Sequence, residues 1–252
     1  MLSEERRRLI YKMIAQKKRV VVNEISERFH TSAVTIRNDL KMLEKQGIIL
    51  RVHGGAILND TLITDIALTE KERLHRVEKM HIAQKAAEMI HEGEVIILDS
   101  GSTTTYIARL LKFMKNIVVI TNAVNIASEL AASEVEVLVT GGILREKSFS
   151  LVGPIAEDAL RTVTADKFFL GVDGIDFIHG LTTPNLLEAK VTRLMVKAAS
   201  DVILVADSSK FGRRALGVIT ELKEVDKIIT DDNIAREDLD KLRTMDLEVI
   251  LV

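Results

Sequence analysis

The chain has 252 residues, 47% of them hydrophobic, and a net charge of −2, enough apolar material for one large core or two ordinary ones. It holds no Cys and no Trp, and aromatics make up only 4%, which excludes disulfides, Cys-based zinc sites and thiol catalysis and leaves little for stacking on bases. No apolar signal-peptide core opens the sequence and no run nears the ~18 apolar residues of a membrane span, so a cytoplasmic protein with no membrane partner is expected.

The charge is unevenly divided. Residues 1–57 carry 12 Lys/Arg against 6 Asp/Glu, whereas the remainder carries 23 against 31. A basic head on an acidic body implies that only the head meets a phosphate backbone. In chain order, Leu9, Ile10, Met13 and Ile14 predict a first helix over 3–16 with Ser3 as its cap, followed by an extended piece at 20–22. Asn23 is placed to cap a second helix that buries Ile25 and Phe29, and His30 and Thr31 form a turn. Ser32 caps a third helix to about Gln46, which Gly47 ends. Residues 48–58, with Gly54 and Gly55 at their centre, read as a hairpin. Three helices and a hairpin make a winged helix-turn-helix over 1–58. Residues 59–75 lack periodicity and are taken as a linker. From Arg76 to the end, apolar runs at 95–98, 117–120, 135–139, 167–170, 202–206, 227–229 and 247–252 alternate with helical segments such as 103–113, 123–131, 185–199 and 234–244. That alternation predicts a mostly parallel, open α/β sheet covered on both faces, so the fold class is α/β with a helical head. Pro154 and Pro184 each sit where a helix can begin.

On the third helix, Ala33, Ile36, Leu40 and Leu43 share one face. Thr35, Asn38, Lys41 and Lys45 lie opposite, with Arg37 on the flank. Arg and Asn are suited to guanine and adenine edges, and Lys and Thr reach bases or phosphates. Ser32 at the cap, and Arg51 and His53 on the wing, complete the candidate DNA-contacting set. Arg6, Arg7 and Arg8 add to the positive face. Asp39 is assigned to orienting Arg37 or another basic neighbour, not to reading bases. An isolated amphipathic helix would need no partner to explain its polar face. Helix, turn, capped helix and wing in this order within 57 residues favour double-stranded DNA.

With Arg6, Ile10 and Ile14 followed by Ser32-x-x-Thr35-Ile36-Arg37-Asn38-Asp39-Leu40 and the Gly54-Gly55 wing, the head resembles that of the DeoR-type bacterial transcriptional regulators.

In the second part, the run Val95–Leu98 leads into Asp99, Ser100, Gly101, Ser102, Thr103, Thr104 and Thr105 before a helix. Such a hydroxyl-rich turn at a helix N-terminus attracts an anion, although a well-capped helix without ligand would look the same. It lacks the Gly-Lys-Ser/Thr of a nucleoside-triphosphate loop and the Gly-x-Gly-x-x-Gly of a dinucleotide site. Other runs end in Thr121-Asn122, Thr140-Gly141-Gly142, Gly171 to Asp176 and Asp207 to Lys210. Ligands of open α/β sheets sit at the carboxyl ends of the strands. Together with Gly153-Pro154, Gly180 to Asn185 and Ala206 to Gly212, these clusters resemble the sensor domain of the same family, similar in fold to ribose-5-phosphate isomerase and glucosamine-6-phosphate deaminase. The resemblance implies a phosphorylated sugar whose phosphate is held by Ser100 to Thr105, with Asp99, Asn122, Gly142, Asp173 and Lys210 lining the sugar side. Asp173, Asp176 and Glu188 resemble the isomerase's acidic residues. Ile178-His179-Gly180-Leu181, however, replaces its Lys-Gly-Gly-Gly turn, which removes the cradle for an enediolate oxyanion.

The expectation is therefore a repressor of carbohydrate-metabolism genes that forms a dimer or tetramer, with an effector-binding and oligomerisation domain over 76–252. It has no catalytic residues, no cofactor and no metal, since the six His are scattered. The competing readings are a sugar-phosphate isomerase or deaminase with a DNA-binding head, and an architectural DNA-binding protein.

Overall fold

The structure is a computed structural model that describes residues 3–17, 19–45, 49–52, 54–58 and 65–252. The chain forms two compact units, Met1–Leu62 and Ile63–Val252.

In the smaller unit, helix α1 (Ser3–Lys17) leads to strand β1 (Arg19–Val21), α2 (Val22–Phe29), α3 (Ala33–Lys45), β2 (Ile49–Val52) and β3 (Gly55–Leu58). The strands form an antiparallel sheet in the order β1-β3-β2. The helices close over Ile10, Ile14, Val20, Ile25, Ile36, Leu40, Leu43 and Ile49, all buried. Phe29 and Ala33 pack at the edge of that core.

Two expected caps differ. Ser3 is the first residue of α1, not its cap. Asn23 lies inside α2, whose N-cap is Val21. The reason is the sheet: Val21 pairs with Gly55, and the Val22 N–H donates to Gly54 O at 2.9 Å. The strand thus satisfies a helix donor that a side chain would otherwise cap. Gly55 is required by the same approach, because a Cβ there would lie 2.1 Å from Val20 O. His30, in the left-handed conformation at φ 48°, ends α2 and turns the chain toward α3. Gln46, Gly47, Ile48 and His53, and with them the expected stop of the third helix, lie outside the described residues.

The larger unit begins with α4 (Leu68–Lys71) and α5 (Arg76–Glu88). Then follow β4 (Val95–Leu98), α6 (Ser102–Leu111), β5 (Val118–Thr121), α7 (Val124–Leu130), β6 (Glu136–Val139), β7 (Ile143–Leu144), β8 (Leu151–Val152), α8 (Pro154–Leu160) and β9 (Ala165–Leu170). The chain ends with β10 (Gly174–Asp176), β11 (Gly180–Thr183), α9 (Leu186–Ala198), β12 (Ala199–Val205), β13 (Gly217–Thr220), β14 (Lys227–Thr230), α10 (Arg236–Arg243) and β15 (Glu248–Leu251).

Seven of these strands form one parallel sheet in the order β15-β14-β12-β9-β4-β5-β6. Its central runs, such as Val95–Leu98 and Val202–Val205, are apolar at successive positions because both faces are covered. Ile97, Phe168, Leu170, Leu204 and Ile228 face the α8 and α9 side. Their chain neighbours Ile96, Leu98, Phe169, Ile203, Val205 and Ile229 face α5, α6 and α7. Alternation with a period of two therefore feeds two cores.

Two small antiparallel sheets are additional: β10-β11-β13 and the β7-β8 pair. Residues 65–75, read from the sequence as part of a linker, belong to this unit and carry α4. Residues 59–64 lie outside the described residues. Strand order reverses between β4 and β9, and a crevice at the carboxyl ends of the strands is expected at that switch point.

Candidate nucleic-acid interface and ligand pocket

The α3 surface follows from its 3.6-residue period. Ile36, Leu40 and Leu43 are buried, while Arg37, Asn38 and Lys41 are exposed. Ser32 Oγ accepts the Thr35 N–H at 3.2 Å and lies 2.9 Å from Thr35 Oγ1. Ser32 therefore caps the helix and also engages the Thr35 hydroxyl. Arg51 is exposed, with its guanidinium 3.6 Å from Glu44 Oε2 and its N–H donating to Glu44 Oε1 at 3.2 Å. The side chains of Lys45 and Arg8 lie outside the described residues, as does His53.

Arg6 does not add to the open positive face. Its Nε donates to Asp39 Oδ2 at 2.6 Å, and both side chains are almost buried. Asp39 thus orients Arg6, not Arg37, and the pair pins α1 to α3. Val34 went unremarked in the sequence, although it is 64% exposed. It precedes Arg37, Asn38 and Lys41 at spacings of three, four and seven and so shares their face. An apolar group there is suited to a thymine methyl.

The cleft of the larger unit lies at the switch point, where Asp99 to Thr103 after β4 and Gly171 to Asp173 after β9 line it. Asp99 leaves the end of β4 and is buried. Its Oδ1 accepts the Ser100 N–H at 2.8 Å. Among the described residues, no basic side chain pairs with it. Burial, reinforced by the negative charges of Glu188 and Asp173 and opposed by the N–H groups of Ser100 and Gly171, pushes its carboxyl up to about 8.

Gly101 is the N-cap of α6 and supplies no side-chain bond to it. The first N–H groups of α6, which have no partner within the helix, therefore border the cleft with Ser102 and Thr103. Glu188 reaches in from α9. Its Oε1 accepts the Ser150 hydroxyl at 2.8 Å and lies 2.6 Å from an Arg145 nitrogen. Asp173, beyond β9, accepts the Thr183 hydroxyl at 3.2 Å and pairs with Lys71 Nζ at 2.5 Å. Lys210 also lines the cleft and makes no ion pair among the described residues.

Of the ligand-side candidates, Asp99, Ser100, Gly101, Ser102, Thr103, Asp173 and Lys210 line this cleft. Thr104, Thr105, Asn122 and Gly142 do not. Thr104 Oγ1 donates to Asp99 O at 2.7 Å and Thr105 Oγ1 to Gly101 O at 2.6 Å, so both brace the turn from within. Asn122 Nδ2 donates to Leu151 O at 3.2 Å, holding the chain beside β8. Gly142, at φ 124°, lets β8 pass, since a Cβ there would lie 2.7 Å from Val152 O. Asp176 also lies outside the lining, and its Oδ1 accepts the N–H groups of Ile178 and His179 at 2.8 Å each.

Lining residues that sequence reasoning did not place here are Ile66, Leu68 and Lys71 from the expected linker, together with Ser148 and Thr192. Lys79 was also missed. It is buried, donates to Lys71 O and Leu74 O at 2.6 Å each, and is lowered to about 8 by that burial. No spacing signal marks any of these. A cluster of three or more metal-ligating side chains is absent among the described residues, as is a helix long and apolar enough to cross a membrane.

Comparison with known proteins assigns both units. Residues 6–62 match the DeoR-like helix-turn-helix domain and residues 74–232 the DeoR C terminal sensor domain. A putative aga operon transcriptional repressor of Escherichia coli O157:H7 is 42% identical over 99% of this chain and 94% of its own length. The HTH-type transcriptional regulator GlpR of Haloferax volcanii is 37% identical over 99% and 98%. The transcriptional repressor AccR of Agrobacterium fabrum is 33% identical over 91% and 90%. Among solved structures, a D-ribose-5-phosphate isomerase in complex with phospho-erythronic acid aligns with a TM-score of 0.40 at 19% identity, covering 53% of this chain and 52% of that one. The chain belongs to the DeoR family of helix-turn-helix transcriptional regulators.

Proposed function

We propose that this regulator is a repressor of carbohydrate-metabolism genes whose operator affinity is set by a phosphorylated sugar in the cleft. The observation that carries this reading is the convergence, at one switch point, of the uncapped α6 N-terminus with Lys71, Lys210 and three carboxylates. Helix N–H groups and ammonium groups suit a phosphate. Carboxylates suit the hydroxyls of a sugar.

The α3 face Val34, Arg37, Asn38 and Lys41 reads the major groove, with Arg51 on the wing against the backbone. One recognition helix buries little surface. The active species is therefore a dimer or tetramer on half-sites about 34–36 Å apart or a multiple of that. The working division is a head over 1–58, a connector starting at 59 and a sensor to 252.

Binding without turnover is the reading for the sensor. Glu188 is held by Arg145, Ser150 and Thr183, not poised as an unoccupied base. The turn that replaces the isomerase's glycine cradle carries Ile178 and His179, both exposed. An isomerase or deaminase activity predicts turnover that Glu188→Gln abolishes.

The test is to select an operator from random duplexes. Its affinity is then measured with and without a panel of sugar phosphates and their unphosphorylated parents. Because a ligand shifts an equilibrium only by its differential affinity for the two states, a change that requires the phosphate supports the reading. An operator affinity indifferent to the whole panel rejects it.

A further inference from the structure

The segment 65–75 is tied down by eight polar contacts. Asp65 Oδ2 accepts Arg145 at 2.9 Å, and Asp65 O accepts Lys147 Nζ at 3.0 Å. The Leu68 N–H donates to Lys147 O at 2.7 Å. Lys79 holds the carbonyls of Lys71 and Leu74, and Glu72 accepts Arg109 at 3.2 Å and, through its carbonyl, Tyr106 Oη at 3.3 Å. In seven of these ties the segment's partner lies outside the cleft lining. The eighth, Lys71 Nζ to Asp173 Oδ1, joins two residues that line it. Of the segment's cleft-lining residues Ile66, Leu68 and Lys71, Lys71 alone meets an incoming ligand with a charge, already paired with Asp173, and the segment leads, through residues 59–64, to the DNA-binding unit.

We infer that Lys71 is the sensing residue of the pocket: its ammonium pairs with Asp173 when no ligand is present, passes to the anionic group of a bound ligand, and leaves Asp173 to accept the ligand's hydroxyls. This rests on the reading of the cleft as a site for a phosphorylated sugar. Charge favours the exchange. A phosphate carries up to two negative charges against one on Asp173 and presents three acceptor oxygens to an ammonium. Asp173 stands beside Asp99 and Glu188 in a largely desolvated crevice. Once it loses Lys71, it needs donors, and a polyol supplies them. Moving the Lys71 stem moves α4, a single turn whose last carbonyl, Lys71 O, is held by the buried Lys79.

The experiment uses the full chain with the selected operator, inorganic phosphate and a panel of aldose and ketose phosphates. Wild type is compared with Lys71→Met, which keeps the apolar stem, and with the charge exchange Lys71→Asp/Asp173→Lys. Operator affinity and amide hydrogen exchange over 65–75 are read for each. Lys71→Met without ligand should exchange at least tenfold faster in 68–75 while β4 and β9 stay protected. Its operator affinity should match that of sugar-phosphate-loaded wild type and should no longer respond to the sugar phosphate. The charge exchange should restore the slow hydrogen exchange of wild type, which a merely space-filling role for Lys71 would not produce. If wild type responds to a sugar phosphate and Lys71→Met responds by the same factor, the inference is overturned and the pocket reading stands. If wild type responds to none of the probes, the pocket reading itself fails and takes the inference with it.

Discussion

Arg6 and Asp39 form the most consequential ion pair of the head, because both side chains are nearly buried. Removing one partner leaves an uncompensated charge in a small core. Asp39→Ala is expected to destabilise this unit by ~3 kcal/mol and to weaken operator binding, since α3 loses its tether to α1. Urea unfolding of the full chain, followed at the first transition, checks it. Asp99 gives a pH prediction. Its carboxyl ordinarily titrates at 3.8 and is raised to about 8. Between these values the folded chain holds a proton that the unfolded chain has lost, so stability falls as pH rises from about 4 to about 8 and levels off above. Glu188 from α9 and Asp173 from beyond β9 face it with like charge, and Thr192 offers a hydroxyl at 3.5 Å. One such proton contributes at most ~1.4 kcal/mol per pH unit. Asp99→Asn should flatten that slope in unfolding measurements at pH 5.5 and 8, and an unchanged slope would contradict the assignment.

At the scale of elements, α3 divides its work by position. Arg37→Ala should cost ~1–3 kcal/mol on the selected operator and relax the preference at one base pair. Lys41→Ala should weaken binding evenly across sequences and reduce the slope of log affinity against log salt by about 1. Quantitative binding at several salt concentrations separates the two. The connection from β6 to β7 supplies a contrast. Gly142 was read as a ligand-side residue, yet its φ of 124° and the Val152 carbonyl leave no room for a side chain. Gly142→Ala should lower the stability of the ligand-free protein by ~2 kcal/mol, visible in thermal unfolding without any sugar phosphate.

For the whole molecule, the head has its own core around Ile36 and Leu40, and the sensor has two, one on each face of its sheet. Calorimetry should resolve separate transitions for the two units. A phosphorylated sugar at 100 times its Kd should stabilise the sensor by ~2.7 kcal/mol. A shift confined to the head's transition would place the ligand elsewhere.

The winged head and the seven parallel strands could be read from the sequence because both rest on short-range pattern. Ile36, Leu40 and Leu43 repeat at helical spacing, and runs such as Val95–Leu98 are apolar at every position because a parallel sheet is covered on both faces. The hydroxyl-rich turn after β4 was legible for the same reason, as a local motif at a strand end. The short strands β10, β11 and β13 were not, since Gly174 to Asp176 and Gly180 to Thr183 carry too few residues to show a period. Segment 65–75 was taken for a linker because its order comes from Arg109, Arg145 and Lys147, far along the chain, and from the buried ammonium of Lys79. Sequence alone determined the helices and hairpin of the head, the seven strands of the parallel sheet, and that its strand ends would hold polar groups. Only the tertiary structure decided which of those groups share a crevice, that Asp39 belongs to Arg6, and that Lys71 meets Asp173, because these depend on distances between residues remote in the chain and leave no mark in local spacing.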